Sequence, residues 1–303
     1  MEPTQTLISL YEKTIGEKPA KIDELPSSGS NRRYFRLSGA KSFIGVIGTV
    51  KEENEAFIYF DRHFRERGIP VPEVVAISDD RMAYLQQDLG DTLLFNAIEK
   101  GRKTRVFSDH ERDLLIKTIR QLPDIQFNGA VGLDFSKCYP AAEFDTRSIM
   151  WDLNYFKYCF LKATGLEFQE DLLEDDFQAM AEVLMRSSSS TFMYRDFQSR
   201  NVMILDSKPW FIDFQGGRKG PFYYDVASFL WQAKANMTDS LRRELIDEYI
   251  DALRRYKPVD EEYFHEQLRH FVLFRILQVL GAYGFRGYFE KKPHFIQSVP
   301  YAI

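Results

Sequence analysis

One stretch limits the folds open to this chain more than any other. In Tyr194-Arg195-Asp196-Phe197-Gln198-Ser199-Arg200-Asn201 an acid is followed five residues later by an amide, and a second acid lies in Phe211-Ile212-Asp213-Phe214. Between them Val202-Met203-Ile204-Leu205 reads as a strand, Asp206-Ser207-Lys208-Pro209 as a turn and Trp210-Phe211-Ile212 as the returning strand. Such a hairpin carries Asn201 at one foot and Asp213 at the other, so both enter the cleft that holds Asp196. Phosphoryl transfer needs this set: a carboxylate to take a hydroxyl proton, and two oxygen donors for the Mg²⁺ of a nucleoside triphosphate. Mg²⁺ is small and hard and keeps several waters, so one acid and one amide are a sufficient protein share of its shell. The spacing therefore assigns Asp196 as catalytic base and Asn201 and Asp213 as metal ligands, with ATP and Mg²⁺ as cofactors.

Bulk properties fit a globular protein of one or two domains: 303 residues with a net charge of -5. That balance gives no general attraction to nucleic acid or to an anionic membrane. The one basic cluster, Lys100, Arg102, Lys103 and Arg105, reads as a solvated loop. Cys138 and Cys159 are too few for a disulfide framework or a zinc site. No apolar run is long enough to span a bilayer and the N-terminus has no signal-peptide pattern, which together point to the cytoplasm. The chain stops at Ile303 without a polar tail, so a further domain beyond it stays open.

The first part of the chain reads as a small sheet with one main helix. A leading helix over Thr4 to Ile15 is followed by the small-residue loop Ser27-Ser28-Gly29-Ser30-Asn31. Strands are expected over Arg33 to Leu37 and Ser42 to Ile47, a helix over Lys51 to Arg67, then strands over Glu73 to Ile77 and Met82 to Gln86. Backbone N–H groups around Ser28, Gly29 and Ser30 can face phosphate oxygens. A hinge falls near Gln87-Asp88-Leu89-Gly90, dividing residues 1–88 from 89–303. Beyond it the pattern turns helical. Ser108 with Glu111 forms a capping box, and Asp145 or Thr146 caps an aromatic-rich helix running to Ala163. Further helices are expected over Asp171 to Arg186, Tyr224 to Leu230, Leu241 to Tyr256 and Glu261 to Tyr283, and Gln215 to Pro221 reads as a tight turn. Asn154, Gln198, Arg200, Gln215 and Arg286 are the candidate substrate contacts, the arginines suiting a carboxylate.

Asp196…Asn201, Ile212-Asp213-Phe214 and Tyr224-Asp225-Val226-Ala227 together resemble the aminoglycoside phosphotransferase and choline kinase-like family of small-molecule kinases. Arg32-Arg33-Tyr34-Phe35-Arg36 and Gln87-Asp88-Leu89-Gly90-Asp91 look most like that family's bacterial cell-wall sugar kinases, which act on the anomeric hydroxyl of N-acetylmuramate and N-acetylglucosamine during peptidoglycan recycling. The resemblance implies an α+β, bilobal protein-kinase-like fold, with a small sheet lobe that binds nucleotide and a larger helical lobe. It implies that the backbone around Gln86, Gln87, Asp88 and Leu89 meets adenine, and that Asp225 anchors the catalytic loop. Two departures stand out. Tyr194 replaces the family's usual His, and is expected to pack and donate one hydrogen bond. The strand Phe43-Ile44-Gly45-Val46-Ile47 lacks the lysine that grips the α- and β-phosphates. Lys51, Arg33 and Arg36 are the candidates to replace its charge, with Glu53 or Glu55 as partner. That gap also motivates an alternative, a non-catalytic nucleotide or sugar sensor. A protein kinase is disfavoured, because the stretch from Asp213 to Asp225 is too short for a peptide-seating segment.

Overall fold

The computed structural model describes residues 3–26, 32–187 and 190–302. The N-terminal lobe is built on five antiparallel strands in the order β1-β2-β3-β5-β4, where β1 is Lys21–Leu25, β2 Arg33–Ser38, β3 Phe43–Ile47, β4 Val74–Ile77 and β5 Ala83–Gln87. Strand parity gives the sheet two apolar faces. Phe35, Leu37, Phe43, Ala83 and Leu85 pack on helix α1 (Pro3–Ile15) through Leu7, Leu10 and Tyr11. Ile44, Val46 and Tyr84 point the other way, toward helix α2 (Lys51–Glu66), whose Phe57, Phe60 and Phe64 join the main core.

After β5 the chain crosses to a helical lobe. Two short helices, α3 (Leu94–Ala97) and α4 (Glu99–Thr104), precede α5 (Asp109–Pro123). The stretch read as a solvated basic loop is therefore helical. Helix α5 starts with the expected box: Ser108 accepts from the Glu111 N–H while the Glu111 carboxylate accepts from the Ser108 N–H. Helix α6 (Thr146–Phe156) is capped by Asp145 and runs on into a widened π turn over Lys157–Leu161. Then come α7 (Glu170–Met185), the short strand β6 (Phe192–Met193), the hairpin β7 (Val202–Leu205) with β8 (Lys208–Phe211), and β9 (Arg218–Lys219) paired with β6. The segment expected to be a plain turn thus contributes a strand at Arg218–Lys219. Helices α8 (Tyr223–Leu230), α9 (Asp239–Leu253), α10 (Glu261–Gly284) and α11 (Pro293–Ile296) complete the lobe. No helix among the described residues is long and apolar enough to cross a membrane.

Helix α10 threads the helical lobe, and its C-terminal end lies against the π turn that follows α6. A methyl group on Gly284 would come within 2.1 Å of the Cys159 carbonyl oxygen, and one on Gly281 within 2.9 Å of the Phe156 nitrogen. Both obstacles are backbone, which cannot swing aside as a side-chain tip can. Gly284→Ala is therefore expected to destabilise by about 1–3 kcal/mol, the usual cost of overpacking. A thermal melt checks this, with Gly216→Ala as the control, since nothing lies within 4 Å of a methyl there. Equal melting temperatures for the two variants would refute the close-packing account.

Candidate active site

Strand β6 delivers the chain to Tyr194 and Arg195, whose N–H groups both donate to the carboxylate of Asp225 on α8, at 2.9 and 2.8 Å. Gln126 adds a third donor to that carboxylate at 3.1 Å. Its own position is fixed by the Phe222 carbonyl and the Tyr249 hydroxyl. This grip holds Arg195 at φ +74, a left-handed conformation that costs a non-glycine residue about 1 kcal/mol or more. The turn it produces sets Asp196, half-buried, at the head of the loop.

Asn201 comes back over the same loop. Its side-chain nitrogen donates to the Asp196 carbonyl at 2.8 Å, which leaves Oδ1 as the atom a cation can use. The hairpin that follows turns on Asp206 and Ser207, both at positive φ, the geometry of a two-residue hairpin turn. The return strand therefore starts at Lys208, two residues earlier than the sequence suggests. The Ile212 N–H then donates to the Asn201 carbonyl at 3.1 Å and places Asp213, at φ +67, beside it. Tyr194 makes the one hydrogen bond expected of it, donating to the Ile212 carbonyl, and its buried ring packs edge-on against Phe192, Phe197 and Phe214. Burial pushes the Asp213 carboxyl above the ordinary carboxylate range, and the nearby Asp196 charge pushes it further. Asp196, Asn201 and Asp213 thus share one hydrogen-bonded frame.

On the sheet side, the carboxylate of Asp88 accepts from Arg36 at 2.8 and 3.1 Å, from Ser42 at 2.6 Å and from the Gly90 N–H at 2.9 Å. Ser42 and Arg36, acting against burial, hold that carboxyl below its usual range. Arg36 also reaches Asp91 at 2.7 Å, so its guanidinium braces the hinge. Leu89 is buried, and the Gln87 N–H donates to the Glu73 carbonyl. Three sequence assignments on this side need correction. Arg33 lies on the α1 face of β2 with Phe35 and bonds Glu24 at 2.8 Å, away from the cleft. Lys51 is exposed at the start of α2, and Glu55 faces outward to Arg81 at 3.6 Å. Arg32, only 2 % exposed and 3.4 Å from Glu53, is near enough to Asp213 that its charge draws that carboxyl down against burial and Asp196. Ser28, Gly29 and Ser30 lie outside the described residues.

The assigned substrate contacts separate into different places. Gln215 is buried and donates to Asp213 at 2.7 Å and to Glu53 at 3.4 Å, so it lies between the site acid and helix α2. Asn154 donates to the Met150 carbonyl of its own helix, and Gln198 sits half-buried in the catalytic loop. Arg286 lies in the turn after α10, 3.3 Å from Glu290. Arg200 stacks on Phe95 at 4.3 Å, with Arg102 on the same ring at 3.8 Å. Lys234 is close enough that both arginines, after burial, lower its pKa. Below Asp196, Arg195 pairs with the buried Asp152 at 3.3 Å. Burial and the neighbouring Arg195 lower Arg218 to about 10.

A profile of the phosphotransferase enzyme family matches residues 21–259. The chain belongs to the APH phosphotransferase enzyme family. One relative of this phosphotransferase is an N-acetylmuramate/N-acetylglucosamine kinase from Pseudomonas putida, 25% identical over 295 residues, which are 94% of this chain and 82% of the relative. Among solved structures, amicoumacin kinase hAmiN in complex with AMP-PNP, Ca²⁺ and Ami superposes with a TM-score of 0.68 at 10% identity, over 98% of this chain and 93% of that one. Plasmodium vivax ethanolamine kinase gives a TM-score of 0.61 at 13% identity, over 93% and 80%. The fold is accordingly bilobal and protein-kinase-like, as the sequence implied.

The donor set of the phosphotransferase suits a hard divalent ion. Asn201 Oδ1 and the Asp213 carboxylate are the oxygen atoms that would hold such an ion, and a cation beside them would relieve the burial and repulsion that Asp213 experiences. No group of three or more His, Cys, Asp and Glu able to hold a metal occurs among the described residues. The ion's remaining ligands would then be phosphate oxygens and water. Three features were not read from the sequence. The Asp152–Arg195 pair and the Gln126–Asp225 bond join residues far apart in the chain, with no local pattern to announce them. Arg32 did leave a signal, since extending the parity of β2 by one residue puts it on the Tyr34 face.

Proposed function

We propose that this phosphotransferase moves the γ-phosphoryl group of ATP to a sugar hydroxyl in the cytoplasm. The acceptor is proposed to be the anomeric hydroxyl of N-acetylmuramate or N-acetylglucosamine. The observation that carries the reading is the shared frame of Asp196, Asn201 and Asp213, joined through the Asn201–Asp196 and Ile212–Asn201 hydrogen bonds. Asp196 takes the proton of the acceptor hydroxyl, whose oxygen forms the new bond to phosphorus as the bond to the ADP oxygen breaks. Asn201 and Asp213 would hold Mg²⁺, which when bound neutralises charge on the phosphate oxygens. The Pseudomonas putida relative supports the sugar as acceptor. Arg102 and Arg200, stacked on Phe95 beside the catalytic loop, together with the nearby Lys234, favour an acceptor carrying a carboxylate, such as the lactyl group of N-acetylmuramate, and repel polycations such as aminoglycosides. Arg32 next to Asp213 supports the catalytic reading over a non-catalytic sensor.

The test is a panel of N-acetylmuramate, N-acetylglucosamine, other hexoses, choline and kanamycin with Mg·ATP, read by product mass. The expected result is one added phosphoryl group on the N-acetyl sugars. Transfer to choline or kanamycin with none to any sugar would overturn the assignment.

A further inference from the structure

Strand β3 carries no cation, yet a triphosphate entering this cleft brings several negative charges. We propose that Arg32, held by Glu53, is the residue that binds the α- and β-phosphates, doing from the start of β2 what a lysine on β3 would do. The inference rests on the nucleotide-dependent reading given above and deepens it.

Four observations place Arg32 there. It precedes β2 by one residue, and the alternation of that strand puts it on the face of Tyr34 and Arg36, opposite the α1 face of Arg33, Phe35 and Leu37. It pairs with Glu53 on α2 at 3.4 Å. Glu53 in turn connects through Gln215, at 3.4 and 2.7 Å, to the proposed metal ligand Asp213. The Arg32 guanidinium lies 5.9 Å from the centre of the Phe57 ring, which stacks at 4.6 Å on Phe214, the residue after Asp213. One ion pair and one amide therefore separate this cation from the ion-binding carboxylate. Glu53 is 26 % exposed while Arg32 is 2 % exposed, so Glu53 is the solvent-facing member of the pair.

The chemistry agrees with the position. A guanidinium stays charged in a buried setting, whereas an ammonium there is free to shed its proton. Its fork can give two parallel hydrogen bonds to phosphate oxygens. Two of the other candidate cations pair elsewhere, Arg36 with Asp88 and Asp91 and Arg33 with Glu24, while Lys51 is exposed at the start of α2.

A phosphate ligand and a mere brace between α2 and the sheet differ in one measurable respect, the dependence on phosphate number. Binding of adenosine, ADP and the non-hydrolysable analogue AMP-PNP, with Mg²⁺, should be measured by calorimetry on the full chain, wild type and Arg32→Met, Arg32→Lys and Glu53→Gln. Arg32→Met is expected to weaken ADP and AMP-PNP by about 10–100-fold, the size of losing a charged hydrogen-bond partner, and to leave adenosine unchanged. Arg32→Lys should recover part of that loss, and Glu53→Gln should weaken the phosphorylated ligands alone. Should Arg32→Met fail to fold, the lysine and glutamine variants decide by the same comparison. Equal loss of adenosine and AMP-PNP, or no loss of either, would overturn the assignment to Arg32. A wild-type chain that binds none of the three would instead defeat the nucleotide-dependent reading, and the inference with it.

Discussion

Asp196→Asn is expected to lower kcat on the sugar acceptor by about 10²–10⁴-fold, the contribution of a positioned general base, while Mg·ATP still binds. The substitution keeps the shape of the side chain and removes only its ability to accept the hydroxyl proton. The contacts that organise the loop survive, because Asn201 bonds the backbone carbonyl of residue 196 and Asp225 grips the backbone of Tyr194 and Arg195. Electrostatics sharpens the expectation. The Asp196 charge is one of the causes that push the Asp213 carboxyl up, second to burial. Neutralising it lets Asp213 ionise more readily, so metal–nucleotide affinity should be unchanged or tighter. Steady-state kinetics with a separate nucleotide-binding assay checks both halves. Turnover within tenfold of wild type would remove Asp196 from the base role.

How much of this was written in the chain order depends on how local each feature is. Asp196, Asn201 and Asp213 were legible because a short loop and a hairpin fix their relation, and few arrangements satisfy that spacing. The Ser108–Glu111 box was legible for the same reason. Strand β1, Lys21-Ile22-Asp23-Glu24-Leu25, was missed: it is polar, largely unburied and sits at the sheet edge, so pairing with β2 and not its own pattern makes it a strand. The two-residue strands β6 and β9 are made by long-range pairing, with each other and, for β9, with the segment around Glu143. Arg33 was named with Lys51 and Arg36 for the missing lysine's charge and Arg32 was not; a strand sends neighbouring residues to opposite faces, so a one-residue choice reverses the outcome. Arg102 looked like part of a solvated run, and its stacking on Phe95 alongside Arg200 requires the catalytic loop to be in place.

The largest loss of stability is expected at Asp225, which meets no substrate. Its carboxylate takes the Tyr194 and Arg195 N–H groups and the Gln126 amide, all in the buried core. Asp225→Ala leaves the two backbone donors without an acceptor, at about 1–3 kcal/mol for each, while Gln126 keeps the Phe222 carbonyl, against a total stability of about 5–15 kcal/mol for a typical domain. The variant should melt far below wild type, and whatever folds should have lost kcat, because the turn that aims Asp196 is no longer held. Asp225→Asn keeps one acceptor oxygen but turns an amide nitrogen toward a donor, so its loss should be intermediate. The pH dependence carries a definite sign. Burial, against the pull of its three donors, raises the Asp225 carboxyl from 3.8 to about 7. A folded-state value above the unfolded one means the folded chain binds the proton more tightly. That stabilising contribution is full below 3.8 and is lost as the pH rises through about 7. The melting-temperature advantage of wild type over Asp225→Asn should therefore be wider at about pH 5 than at about pH 8. If the gap were the same at both, or wider at the higher pH, the donors and not burial would dominate that carboxylate. If Asp225→Ala melted with wild type and kept its kcat, the catalytic loop would have to be held by something other than Asp225.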